Sequence, residues 1–214
     1  MHHEACHDET HERILNAAEK LFAQHGHDGT TLREITKAAG VNLAAVNYHF
    51  GSKQALYTEV FQRVIRPINE RRLAILADAE QLAGDQPVPL RAIVDSFIRP
   101  VFEMARGRPP FLLLMSRNFS APPAFMHEVM GREFGKVAQR YLQVLQSSLP
   151  HLNPAEVFWR MFYVTGSMLF VAAHSQSIER LSQGLCRADD PDESIRRLID
   201  FAVAGLSAPK TPDA

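Results

Sequence analysis

The sequence predicts an all-α protein: an N-terminal three-helix, helix-turn-helix head, then a C-terminal helical bundle, about nine helices in all. Three observations predict this class. Apolar residues recur at three- and four-residue spacing along most of the chain, and no stretch alternates as a strand does. Glycines and prolines fall where helices would end or begin. Two short helical patterns near the N-terminus are separated by a tight glycine-containing turn, the arrangement of a helix-turn-helix unit.

Ile14, Ala17, Ala18, Leu21 and Phe22 form one face of a first helix, which Gly26 and Gly29 close. Thr31-Leu32-Arg33-Glu34 reads as a capping box, and Leu32, Ile35 and Ala39 give the second helix its buried face. Gly40 stands where a left-handed helix end belongs, and Asn42 can cap the third helix, in which Val46 and Phe50 face inward. Gly51-Ser52 breaks the chain before a long helix from Lys53, expected to kink at Pro67. Further helices are expected over 90–106, 110–119, 123–148, 154–177 and 192–206, with Pro110, Pro123 and Pro154 suited to first turns. The implied organisation is a disordered His-rich segment 1–8, a head 9–52, a body 53–206 and a disordered tail 207–214.

Composition narrows the function classes. The 214 residues are 46% hydrophobic and 22% charged, ordinary for a globular protein, and the net charge of −1 carries no global basic signal for nucleic acid. Any such signal must be local. Over 31–66 the cations Arg33, Lys37, Lys53, Arg63 and Arg66 outnumber Glu34 and Glu59. Cys6 and Cys186 are too far apart to form a framework, which suits a reducing cytoplasm. The polar N-terminus does not read as a signal peptide. The longest apolar run, around 163–173, falls short of the ~20 residues of a membrane span.

The motifs Thr31-Leu32-Arg33-Glu34-Ile35, Ala39-Gly40-Val41 and Val46-Asn47-Tyr48-His49-Phe50-Gly51-Ser52-Lys53 together resemble the TetR-family head. The likeness covers about residues 10–60, and Val41–Lys53 is further similar to a subgroup that includes fatty-acid-responsive repressors. The resemblance implies a homodimeric one-component regulator, usually a repressor, released from a pseudo-palindromic double-stranded operator by a small hydrophobic ligand. A recognition helix needs small or polar side chains toward the major groove and apolar ones behind. Asn42, Leu43, Ala44, Ala45, Asn47, Tyr48 and His49 are expected to face outward, with Tyr48, His49 and Lys53 suited to phosphate oxygens. Thr31 and Arg33 complete the candidate DNA-facing set. Leu43 departs from the family pattern, in which many members carry a polar or basic residue there.

In the body, Phe97, Phe102, Met115, Arg117, Phe119, Met126, Phe162 and Met168 are candidate liners of an apolar cavity, against the plainer reading of a helical core. Arg99, Arg106, Arg108 and Arg117 are candidates to meet an anionic head group, against the reading of solvated surface arginines. A fatty acid, an acyl thioester or an aromatic carboxylate would suit such a cavity. Phe158, Met161, Met168, Ile195, Leu198, Ile199 and Ala202 are expected to pair the last two helices across a two-fold axis.

His3-Glu4-Ala5-Cys6-His7 fits the zinc-protease pattern, but that chemistry needs an apolar supporting face and a third ligand, so no metal site is expected. No Gly-rich phosphate loop and no nucleophile–base–orienter set occurs, so no cofactor and no enzymatic activity are expected. A lipid-carrier body and a head that has lost DNA binding are the competing classes.

Overall fold

The computed structural model describes the backbone of residues 2–106, 108–187 and 190–210, and the side chains of these except 2–8, 109, 175, 176 and 191. Nine helices are present among the described residues, and no strand. They are α1 (His2–His25), α2 (Leu32–Ala39), α3 (Leu43–Phe50), α4 (Lys53–Ala83), α5 (Leu90–Ala105), α6 (Pro109–Ser120), α7 (Met126–Ser148), α8 (Pro154–Leu181) and α9 (Pro191–Ser207).

The helix ends follow local chemistry. Thr31 accepts from the Glu34 amide at 3.2 Å, and Glu34 accepts from the Thr31 amide at 2.8 Å, so the capping box forms. Asn42 caps α3 through the Ala45 amide at 2.9 Å, and Asn153 caps α8 through the Glu156 amide at 2.8 Å. Gly40 ends α2 at φ +65°, a conformation that a side chain would disfavour, and Nη2 of Arg13 passes 2.9 Å from where its Cβ would lie. That Arg13 nitrogen donates to the carbonyls of Ala39 and Gly40, closing the end of α2.

The chain divides into two compact units, Met1–Arg66 with Arg108–Glu133, and Pro67–Gly107 with Phe134–Ala214. The expected division at 52/53 is therefore not where the units part. The boundary falls inside α4 at Arg66/Pro67, where proline removes a backbone donor. It falls again inside α7, so α4 is not alone in carrying the chain from one unit to the other.

In the first unit α1 packs against α2, α3 and α6. Ile14, Ala18, Phe22, Ile35, Val46 and Leu56 are fully buried there. Glu19 is buried between Arg63 at 2.6 Å and Arg108 at 3.0 Å. In the second unit α9 packs along α5, with Ile195, Ile199, Ala202 and Leu206 turned inward. α8 bends at His174, whose φ and ψ leave the helical region.

The two segments expected to be disordered, 1–8 and 207–214, are described only in part. The α1 helix begins at His2 rather than near residue 9. Ser207 is the last residue of α9, and the chain beyond it is held by Arg160, which donates to the carbonyls of Gly205, Leu206, Ala208 and Pro209. One buried guanidinium thus satisfies carbonyls that a helix end leaves unpaired. Residues 211–214 lie outside the described ones.

Candidate functional site

The candidate nucleic-acid interface is built on α2, the turn 40–42 and α3. Val46 and Phe50 are buried, and Phe50 stacks on the His11 ring of α1 with centroids 4.7 Å apart. The opposite face carries Leu43, Ala44, Asn47 and Tyr48, all exposed, with Tyr48 at 76%. Ala45 and His49 are half-buried beside them. Tyr48 stands edge-on to His49, their ring centroids 5.4 Å apart. Thr31 and Arg33 at the start of α2 are exposed as well. The small residues allow close backbone approach, and the methyls of Ala44 and Ala45 offer apolar contact suited to thymine.

Three features bear on these expectations. The Asn42 side-chain oxygen is committed to the α3 cap, which reduces what that residue can offer a base edge. Lys53 is not extended toward solvent: its Nζ donates to the carbonyls of His27 and Thr30, at 3.0 and 3.1 Å. It braces the turn ahead of α2. The local basic excess is also smaller than the sequence suggests. Arg63 is held by Glu12 and Glu19, and Arg66 by Glu133, so neither presents a bare charge. Arg33 and Lys37 remain exposed cations on α2.

The residues expected to line one apolar cavity are divided between the two units. Met115, Arg117, Phe119 and Met126 belong to the first unit, whereas Phe97, Phe102 and Met168 belong to the second. Phe162 is 61% exposed on α8. Arg117 donates to the carbonyls of Ala23 and Gln24, at 2.9 and 2.7 Å, and so caps the end of α1. The other three arginines singled out are paired too: Arg99 with Asp95, Arg106 with Asp192 and Arg108 with Glu19.

Sequence reasoning missed Arg72. It is only 3% exposed, and its Nε donates to the Phe97 carbonyl at 2.9 Å. Its guanidinium lies 4.1 Å from the centre of the Phe97 ring. Tyr141, buried alongside, has its phenol pushed up to about 12 by burial. The signal was available: Arg72 stands four residues after Ile68 and four before Leu76, a cation inside an apolar stripe.

The apolar faces of α8 and α9 are also redistributed. Met168, Ile195, Leu198, Ile199 and Ala202, expected at a dimer interface, are buried within the protomer. The exposed aromatic residues of these helices are instead Phe158, Trp159, Phe162, Tyr163, Phe170 and Phe201. Phe158 stacks on Phe162 and Trp159 on Tyr163, each pair one helical turn apart. Beside them an open groove of about 730 Å³ runs between α8 and α9, lined by Gly166, Phe170, Ile178, Leu198 and Phe201. The His3–His7 motif lies outside the described side chains, and among the described residues no cluster of three or more His, Cys, Asp or Glu could hold a metal. No described helix is long and apolar enough to cross a membrane.

Comparison with known proteins agrees with this architecture. The chain is 38% identical over 86 residues to the HTH-type transcriptional regulator AcrR of Shigella flexneri, covering 40% of this chain and 39% of that protein. It is 36% identical over 91 residues to the HTH-type transcriptional dual regulator CecR of the same organism, covering 42% and 40%. The matched part thus spans about two fifths of those relatives. The solved structure of the fatty acid degradation regulator FadR from Bacillus halodurans shares the fold at a TM-score of 0.67 and 12% identity, covering 92% of this chain and 96% of that one. The sequence pattern described as bacterial regulatory proteins, tetR family, matches residues 14–60, and that described as tetracyclin repressor-like, C-terminal domain, matches 91–205. With both the head and more than half of the chain matched, this protein belongs to the TetR family.

Proposed function

We propose that the chain is a DNA-binding transcription repressor that acts as a homodimer in the cytoplasm and leaves a pseudo-palindromic operator when a small hydrophobic ligand binds its body. The observation that carries this reading is the outward face of α3: Leu43, Ala44, Asn47 and Tyr48 exposed on a short helix capped at its start and pinned behind by Val46 and Phe50. Such a face suits the major groove. Asn47 is the residue for a base edge, while Tyr48, Thr31 and Arg33 suit phosphate oxygens.

Dimerisation in this reading uses the exposed aromatic face of α8 with Phe201 of α9, the groove between them receiving a second copy. A surface with so many large apolar side chains is unusual for a monomer. The ligand is a fatty acid, an acyl thioester or an aromatic carboxylate, bound in the second unit. Footprinting of the purified protein on the DNA upstream of its own gene, at several salt concentrations, tests the reading. Protection of two half-sites about one helical turn apart is expected. Uniform, sequence-independent binding would overturn it.

A further inference from the structure

Residues from four helices of the second unit surround one buried cation that pairs with no anion among the described residues. Arg72 of α4 donates through Nε to the Phe97 carbonyl of α5 and through Nη1 to Oδ1 of Asn69 at 3.3 Å. Its Nη2 faces Sδ of Met168 on α8 at 3.9 Å. Tyr141 of α7 donates its hydroxyl to the carbonyl of Arg72 at 3.3 Å and lies 2.8 Å from Oγ of Ser96. Each of these partners is neutral, and among the described residues no carboxylate forms an ion pair with Arg72. Six other arginines differ: Arg63, Arg99, Arg106, Arg108, Arg140 and Arg160 each hold an acid.

Burial draws the Arg72 pKa down to about 10, which leaves it charged at neutral pH. Charges this deeply buried are ordinarily paired. A guanidinium offers five N–H groups, and a thioether is a weak acceptor, so the edge facing Met168 is the poorly satisfied one. Methionine is also the apolar side chain that repacks most readily.

We propose that Arg72 is the anion anchor of the effector site: the carboxylate of an otherwise apolar ligand takes the Nη edge of the guanidinium in place of the Met168 thioether. The planar fork matches a carboxylate in a two-point contact. A monoanion balances one buried cation, whereas a phosphate dianion would leave a buried excess of negative charge. The proposal rests on the ligand-released reading above and narrows its three chemistries to free acids, because an acyl thioester presents a neutral carbonyl at that end. Arg72 also lies five residues beyond Pro67, on the helix whose N-terminal half belongs to the first unit.

The test uses matched acid and alcohol pairs, decanoate with 1-decanol and 2-naphthoate with 2-naphthalenemethanol, titrated calorimetrically into the full-length protein. The wild type is expected to prefer the acid in at least one pair by about tenfold or more. Arg72→Met should bring the acid down to the level of its alcohol, with alcohol binding unchanged or tighter. Arg72→Lys, which keeps the charge and loses the fork, should retain part of the preference, and it carries the test if Arg72→Met does not melt cooperatively. Equal binding of acid and alcohol by the wild type, or an acid preference that survives Arg72→Met or vanishes in a folded Arg72→Lys, overturns the anchor and leaves the sensor reading standing. If no member of either pair binds, both are overturned.

Discussion

The ammonium nitrogen of Lys53 lies 3.1 Å from the carbonyl oxygen of Thr30, the residue before the α2 N-cap. It also donates to His27, so the first residue of α4 ties down the turn that aims α2 and α3. Lys53→Ala leaves two partly buried carbonyls without this donor and should lower stability by about 1–3 kcal/mol. Loss of a phosphate contact flattens the dependence of log affinity on log salt by about one unit. Lys53→Ala is expected to weaken operator binding with that slope unchanged, read by titration at several ionic strengths.

Tyr48 provides the contrast. It is exposed on α3, edge-on to His49, and is not part of the buried anchor. Tyr48→Phe should leave the melting temperature unchanged and weaken operator and random DNA alike, by about 1 kcal/mol for one hydrogen bond to a phosphate. A change in sequence preference would instead make Tyr48 a reader of bases.

Substitutions on α8 and α9 should fall into two groups. Met168→Asp and Leu198→Asp bury a carboxylate in the protomer and are expected to destabilise it by about 3 kcal/mol or more. Phe162→Asp and Phe201→Asp alter exposed rings and should leave the protomer folded while weakening dimerisation by at least about tenfold. Sedimentation velocity together with thermal melting separates the two outcomes.

Arg117 closes the end of α1, so Arg117→Ala should cost about 1–2 kcal/mol of stability, by loss of two hydrogen bonds to carbonyls of Ala23 and Gln24. Effector affinity should not change. A selective loss of ligand binding with an unchanged melting temperature would restore Arg117 to the effector site.

The Glu34 carboxylate is held below the ordinary glutamate range, first by the Thr31 amide and then by the Thr31 hydroxyl. A depressed pKa adds stability that is present above the unfolded-state value and is lost as pH falls through the lower folded value. Melting temperatures measured between about pH 5 and pH 3 should therefore fall less steeply in Glu34→Gln than in the wild type.

The sequence by itself determined the helices, their caps and the head. Thr31 with Glu34, Gly40 and Asn42 act on neighbours three or four residues away, and the burial of Val46 and Phe50 follows from helical period alone. Tertiary structure decided which apolar faces were spent inside the protomer and which were left outside. α9 uses Ile195, Leu198, Ile199 and Ala202 within its own unit, whereas α8 leaves Trp159 and Phe162 exposed, and periodicity does not distinguish these fates. It also decided the partners of the long cations. A side chain the length of lysine or arginine can reach acceptors far along the chain, as Lys53 reaches Thr30 and Arg117 reaches Ala23. Arg72 shows the same division: its place in an apolar stripe is written in the sequence, but only the packing of α4, α5, α7 and α8 leaves that cation buried among neutral groups.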